Sequence, residues 1–214
     1  MDYTSENKNE EKGEIILVTG GARSGKSLYA EALASEPRGA GAEGQTSVLY
    51  LATARVTDDE MADRIRRHRV RRPEGWLTWE SHRDFAALIA ADDQASFSVG
   101  DYDTILVEDL GNLLMGVLFD EIPDADTCAL TEFDRVEEIV INEITTLAAF
   151  ACAQGKRLIL VTNEIGLGLV PAYRLSRYYR DILGRANRIA AELANRVVFL
   201  VSGIPLTLKP ASEK

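Results

Sequence analysis

The chain has 214 residues, 46% hydrophobic and 27% charged, which suits one globular domain with a sizeable core. Its net charge of −10 at pH 7 argues against a general nucleic-acid-binding or anionic-membrane surface. Two cysteines, Cys128 and Cys152, are too few for a disulfide scaffold. No apolar run approaches the roughly 18 residues of a membrane span, and the acidic N-terminus is not a secretory signal, so a cytoplasmic protein is expected.

Residues 1–13 are polar and read as a disordered tail. A short apolar strand follows at 14–19. It runs into Gly20-Gly21-Ala22-Arg23-Ser24-Gly25-Lys26-Ser27, the pattern G-x-x-x-x-G-K-S, and then into a helix over 26–35. Strand, glycine-rich loop and helix in this order are what a P-loop requires. Glycines let the backbone curl so that successive N–H groups face one concavity at a helix N-terminus, where partial positive charge accumulates. All eight loop residues are expected around a nucleoside triphosphate. Lys26 would reach the β- and γ-phosphates, and the Ser27 hydroxyl would ligate Mg²⁺.

The Gly-rich stretch 37–47 has no evident function. A second buried strand spans 48–53, and a helix spans 58–72 with Thr57 as its N-cap and acids in its first turn. Arginines crowd the end of that helix around His68, and Pro73 stops it. A short strand at 76–80, a helix at 84–91, a loop at 92–101 and an apolar strand at 104–107 come next. That last strand ends in Glu108-Asp109. Helices are predicted over 110–119 and 131–154, the second with apolar residues at helical spacing. A strand at 157–162 ends in Asn163-Glu164, and a long helix covers 173–195. The last main strand is 197–201, with an edge strand possible at 203–208 and a tail at 210–214.

Strands alternating with helices predict a mostly parallel sheet covered by helices on both faces, within a single domain spanning 14–209. Ligands then bind at the carboxyl ends of the strands, where Gly20, Thr53, Glu108 and Asn163-Glu164 all fall. An acid at the end of an apolar strand is the usual partner for P-loop Mg²⁺, which makes Glu108 the first candidate and Glu164 and Asp109 further ones. His82 reads as a helix-start residue without a role. His68 has two readings. One is a member of a solvated basic helix. The other is a nucleophile: surrounding arginines favour neutral imidazole, which can attack a nucleotide α-phosphate.

The chain resembles the bifunctional adenosylcobinamide kinase / adenosylcobinamide-phosphate guanylyltransferase family of cobalamin biosynthesis. The resemblance rests on ILVTGGARSGKS at 16–27, LYLATARVTDDEMADRI at 49–65, H-x-x-x-R-P from His68 and W-x-T-x-E at 76–80. It continues with LVTNEIGLGLVP at 160–171, R-x-S-R-x-Y-R-D-x-x-G-R-x-N at 174–187 and VSGIP at 201–205. It implies a RecA-like P-loop NTPase fold. It also implies an enzyme that phosphorylates adenosylcobinamide with GTP or ATP, then transfers GMP from GTP through a guanylylated His68 to adenosylcobinamide phosphate. Catalysis would fall to His68 and Lys26, and Mg²⁺ to Ser27 and Glu108. Ala52, Thr53 and Ala54, the segment Arg69-Val70-Arg71-Arg72, and Glu80 and Glu108 would contact nucleotide. The family has Ser where this chain has Ala54, often K-D-G-R where it has R-V-R-R, and a small residue where it has Asp109. A homo-oligomer, a trimer, is implied, with the run 113–119 and the last strands as its interface. Readings from other classes remain open: a member with one activity only, a P-loop kinase for another hydroxylated substrate, or a nucleotide-dependent switch.

Overall fold

Period-two alternation within the apolar strands sends successive side chains to opposite faces of one sheet. The computed structural model describes residues 13–38, 44, 46–56, 58–91 and 97–211. In chain order the elements are β1 (Glu14–Gly20), α1 (Lys26–Ser35), β2 (Val48–Ala52), α2 (Asp59–Arg71), β3 (Leu77–Glu80), α3 (Phe85–Ala90) and β4 (Thr104–Glu108). They continue with α4 (Leu110–Glu121), α5 (Leu130–Ala153), β5 (Arg157–Asn163), α6 (Arg174–Leu193), β6 (Arg196–Val201) and β7 (Ile204–Lys209). The sheet order is β3-β2-β4-β5-β1-β6-β7. All neighbours are parallel except β7, which returns antiparallel beside β6. Ser202 and Gly203 join that last hairpin with φ values of 51° and 83°, the left-handed pair of a type I′ turn.

Two cores result. On one face Ile15, Leu17, Leu49, Leu51, Ile105, Val107, Leu158 and Leu160 pack beneath α3, α4, α5 and α6. On the other, Ile16, Val18, Tyr50, Leu106, Ile159 and Val161 pack with Ala30, Leu33 and Ala34 of α1. The predicted doubly covered, mostly parallel sheet is the fold observed, including the edge strand. Strand β5 lies between β1 and β4, so the P-loop strand and the strand ending in Glu108 are one strand apart.

The structure revises three local expectations. Thr57 lies outside the described residues, and the N-cap of α2 is Asp58, whose carboxylate accepts from the Met61 N–H at 2.8 Å. The run 113–119 is not an available interface: Leu113, Leu114, Val117 and Leu118 are buried under α5 and α6, leaving Phe119 exposed. His82 has a structural role. Its Nε2 meets the Asp120 carboxylate at 2.6 Å, and Arg55 and Arg83 pair with that carboxylate too. Apart from Gly13, Pro210 and Ala211, the two expected tails lie outside the described residues, as does much of 37–47 and of 92–101. No described helix is long and apolar enough to cross a membrane.

Candidate active site

The loop between β1 and α1 is shaped by backbone geometry that its residues permit. Gly25 sits at φ 93° and Arg23 at φ 57°, so the chain turns back on itself before entering α1. At Gly20 a side chain is excluded, because a Cβ would stand 2.7 Å from the Leu200 carbonyl oxygen and 2.6 Å from Ser24 Oγ. Neighbouring loops hold the turn: Gly203 N–H donates to the Ser24 carbonyl at 2.8 Å, and Glu164 N–H donates to the Gly20 carbonyl at 3.1 Å.

A cavity of about 620 Å³ opens over this loop. Ala22, Arg23, Ser24, Gly25, Lys26, Ser27 and Leu28 line one side, and Asp63, Arg67 and His68 of α2 line the other. The histidine singled out in the sequence and the P-loop therefore share one cavity. Lys26 is buried and its Nζ donates to the Gly21 carbonyl at 3.3 Å. Ser24 Oγ is buried with no hydrogen-bond partner, an orphan donor that a phosphate oxygen would satisfy.

Glu108 ends β4 beside this loop. Its Oε1 accepts from the Ser27 hydroxyl at 2.5 Å, and its Oε2 is buried with no partner. Burial, and then the neighbouring Asp109 carboxylate, push the Glu108 carboxyl from its ordinary 4.5 up to about 8. An orphaned carboxylate oxygen next to a serine hydroxyl is a donor set that suits Mg²⁺. That ion takes one or two protein oxygens and completes its shell with nucleotide and water. No cluster of three or more His, Cys, Asp or Glu side chains able to cage a metal occurs among the described residues.

Other expected contacts lie elsewhere. Thr53 is buried, and its hydroxyl donates to the Asp109 carbonyl at 2.7 Å, tying the ends of β2 and β4 together. Ala52 pairs with Glu80 on one side and Glu108 on the other, and Ala54 follows Thr53 as the strand gives way to coil. Neither lines the cavity, and nor do Arg69, Val70, Arg72 or Glu80. Arg69 pairs with Glu80 at 3.3 Å between exposed side chains, and Val70 is exposed. Arg72 turns inward: its guanidinium sits 3.5 Å above the Tyr50 ring and donates to Thr78 Oγ1 at 3.0 Å. Asp109 is buried. Its carboxylate caps α4 through the Asn112 N–H at 2.8 Å and accepts from Asn163 Nδ2 at 3.2 Å. The Glu164 carboxylate folds back onto the Gly166 N–H at 2.6 Å. Sequence reasoning passed over Asp63 and Arg67 as cavity residues. Their signal was the spacing of four that pairs them on one helical face, and they form an ion pair.

A sequence model of the cobinamide kinase / cobinamide phosphate guanyltransferase family matches residues 16–208. The bifunctional adenosylcobalamin biosynthesis protein CobU of Escherichia coli is 40% identical over 195 residues, 91% of this chain and 99% of the relative. Its counterpart in Salmonella typhimurium shows the same identity and coverage. The bifunctional adenosylcobalamin biosynthesis protein CobP of Pseudomonas aeruginosa is 37% identical, covering 90% of this chain and 96% of the relative. Among solved structures, a KaiC-like protein from Pyrococcus horikoshii aligns with a TM-score of 0.50 at 17% identity. That alignment covers 94% of this chain and 81% of the other, and it shows a shared fold.

Proposed function

The chain belongs to the cobinamide kinase / cobinamide phosphate guanyltransferase family, and from that premise we propose how its residues carry out the two transfers. In the first, the hydroxyl oxygen on the aminopropanol arm of adenosylcobinamide attacks the γ-phosphorus of GTP or ATP. The bond from that phosphorus to the β-bridging oxygen breaks, the nucleoside diphosphate leaves, and the hydroxyl proton is released. Backbone N–H groups of the P-loop and Lys26 hold the phosphates and meet the charge that builds on the transferring group. Ser27 and Glu108 would hold Mg²⁺, which neutralises phosphate charge when bound.

In the second transfer a ring nitrogen of His68 attacks the α-phosphorus of GTP. The α–β bridging bond breaks and pyrophosphate leaves. A phosphate oxygen of adenosylcobinamide phosphate then attacks the same phosphorus, the P–N bond breaks, and adenosylcobinamide-GDP forms with the imidazole restored. Splitting one hard displacement into two easier ones is the advantage of the covalent route. Arg67, beside His68 on the cavity wall, is suited to the developing charge.

The observation that carries this reading is the single cavity shared by Lys26, Ser27 and His68. The test is product analysis with adenosylcobinamide, GTP and Mg²⁺. Conversion to the phosphate and then to the GDP derivative supports it. Formation of the phosphate alone leaves a one-activity enzyme, and neither product would refute it.

The protein is proposed to act in the cytoplasm, in keeping with two unbridged cysteines. It is also proposed to assemble as a trimer through β7, a sheet edge whose Ile204, Leu206 and Leu208 are all more than half exposed. Sedimentation of only a 23.5 kDa species at working concentration would refute the trimer.

A further inference from the structure

Helix α2 holds little of the core. None of its described side chains is buried, and its described charged residues face solvent or the cavity. Among the described residues, side-chain contacts from its two ends reach the neighbouring elements. Before it, Arg55 pairs with Asp120 of α4. After it, two contacts to the sheet converge on one residue. Arg72 is the C-cap, in extended conformation ahead of Pro73. Its guanidinium stacks 3.5 Å above the ring of Tyr50, which is 1% exposed in the middle of β2 and lies against Trp76. It also donates to Thr78 Oγ1 in β3 at 3.0 Å. A planar cation held by a ring face and a hydrogen bond is fixed in direction as well as position, which an ammonium would not be. The nearby Arg69–Glu80 pair joins exposed side chains and adds little.

We infer that Arg72 is a positioning residue for His68: it pins the base of α2 to the sheet and thereby sets where the imidazole stands over the P-loop cavity. His68 lies four residues before Arg72, about 6 Å along the helix axis. A 10° change of helix direction about that anchor moves the imidazole by about 1 Å. Misplacement on that scale costs on the order of 100-fold in a displacement that needs in-line geometry. The sequence resemblance made Arg72 a nucleotide contact. The structure directs its guanidinium into the sheet. The inference rests on the proposed nucleophilic role of His68.

The test measures single-turnover guanylylation with GTP labelled at the α-phosphate, and γ-phosphoryl transfer to adenosylcobinamide, on the same preparations. Wild type is compared with Arg72→Met and Thr78→Val. The expected result for Arg72→Met is a fall of roughly ten- to hundredfold in the maximal guanylylation rate relative to the kinase rate, with half-saturating GTP unchanged. Thr78→Val, nearly isosteric, should lower the same ratio severalfold and serves as the readout should Arg72→Met not fold. A rise in half-saturating GTP at unchanged maximal rate would make Arg72 a nucleotide ligand and overturn the inference. Equal loss of both transfers would reduce it to general stability and overturn it as well. Labelled wild type with an equally active Arg72→Met refutes the inference alone. Unlabelled wild type refutes it together with the role of His68.

Discussion

Replacing Glu108 by Gln should make the nucleotide-free protein more stable at alkaline pH while removing Mg²⁺-dependent transfer. Gln keeps an oxygen that can accept from the Ser27 hydroxyl, whose present bond is 2.5 Å long, and it has no charge to bury. In the wild type, burial raises the carboxyl from 4.5 to about 8. Between those values the folded protein holds a proton that the unfolded chain has lost. Stability therefore declines as pH rises through that window and levels off above about 8. At about 1.4 kcal/mol per pH unit the full loss is roughly 4–5 kcal/mol. For a chain of this size that corresponds to about 8–20 °C in Tm. Thermal scans in EDTA from pH 5 to pH 9 should show variant and wild type within about 1 kcal/mol near pH 5 and separating progressively above it. Saturating Mg²⁺ and nucleotide should narrow the gap by stabilising the wild-type carboxylate. A Tm difference that does not change with pH, or none at pH 9, would refute the reasoning.

Three further outcomes follow from the same geometry. Glu143→Ala should cost roughly 2–4 kcal/mol in urea titrations, because the Glu143 carboxylate satisfies the Asp84 and Phe85 N–H groups at the head of α3, at 2.7 and 2.9 Å. Gly111→Ala should cost about 1–3 kcal/mol, since a Cβ there would stand 2.7 Å from the Tyr179 hydroxyl. Adding Tyr179→Phe to that variant should recover most of the loss in a double-mutant cycle. Lys26→Met should reduce γ-phosphoryl transfer by on the order of a thousandfold without unfolding the protein, measured as product formed from γ-labelled nucleotide.

Much of the fold was legible because its signals are local. Each core strand is a short apolar run, α5 carries a helical period of apolar residues and Pro73 stops α2, so the strand–helix alternation could be read along the chain. The P-loop was legible for the same reason, since Gly20, Gly25, Lys26 and Ser27 are adjacent in sequence. Glu108 was legible as an acid at a strand end. Contacts between distant segments were not. Nothing in the spacing announces that the Thr53 hydroxyl is used on the Asp109 carbonyl. Nor does it announce that Arg72 reaches back 22 residues to stack on Tyr50. Asp109 stood out as a departure from the family's small residue, and only the structure shows its carboxylate capping α4 and accepting from Asn163. The apolar run 113–119 suggested an interface because such a run says that something covers it, not whether the cover is α5 and α6 of the same chain.

The central claim is that His68 carries GMP. The most direct measurement is incubation of the purified protein with GTP labelled at the α-phosphate and Mg²⁺, beside His68→Ala, followed by a test for acid-labile, alkali-stable label on the protein. The account predicts label on the wild type and none on the variant. An unlabelled wild type, or a variant labelled as fully as the wild type, would contradict it.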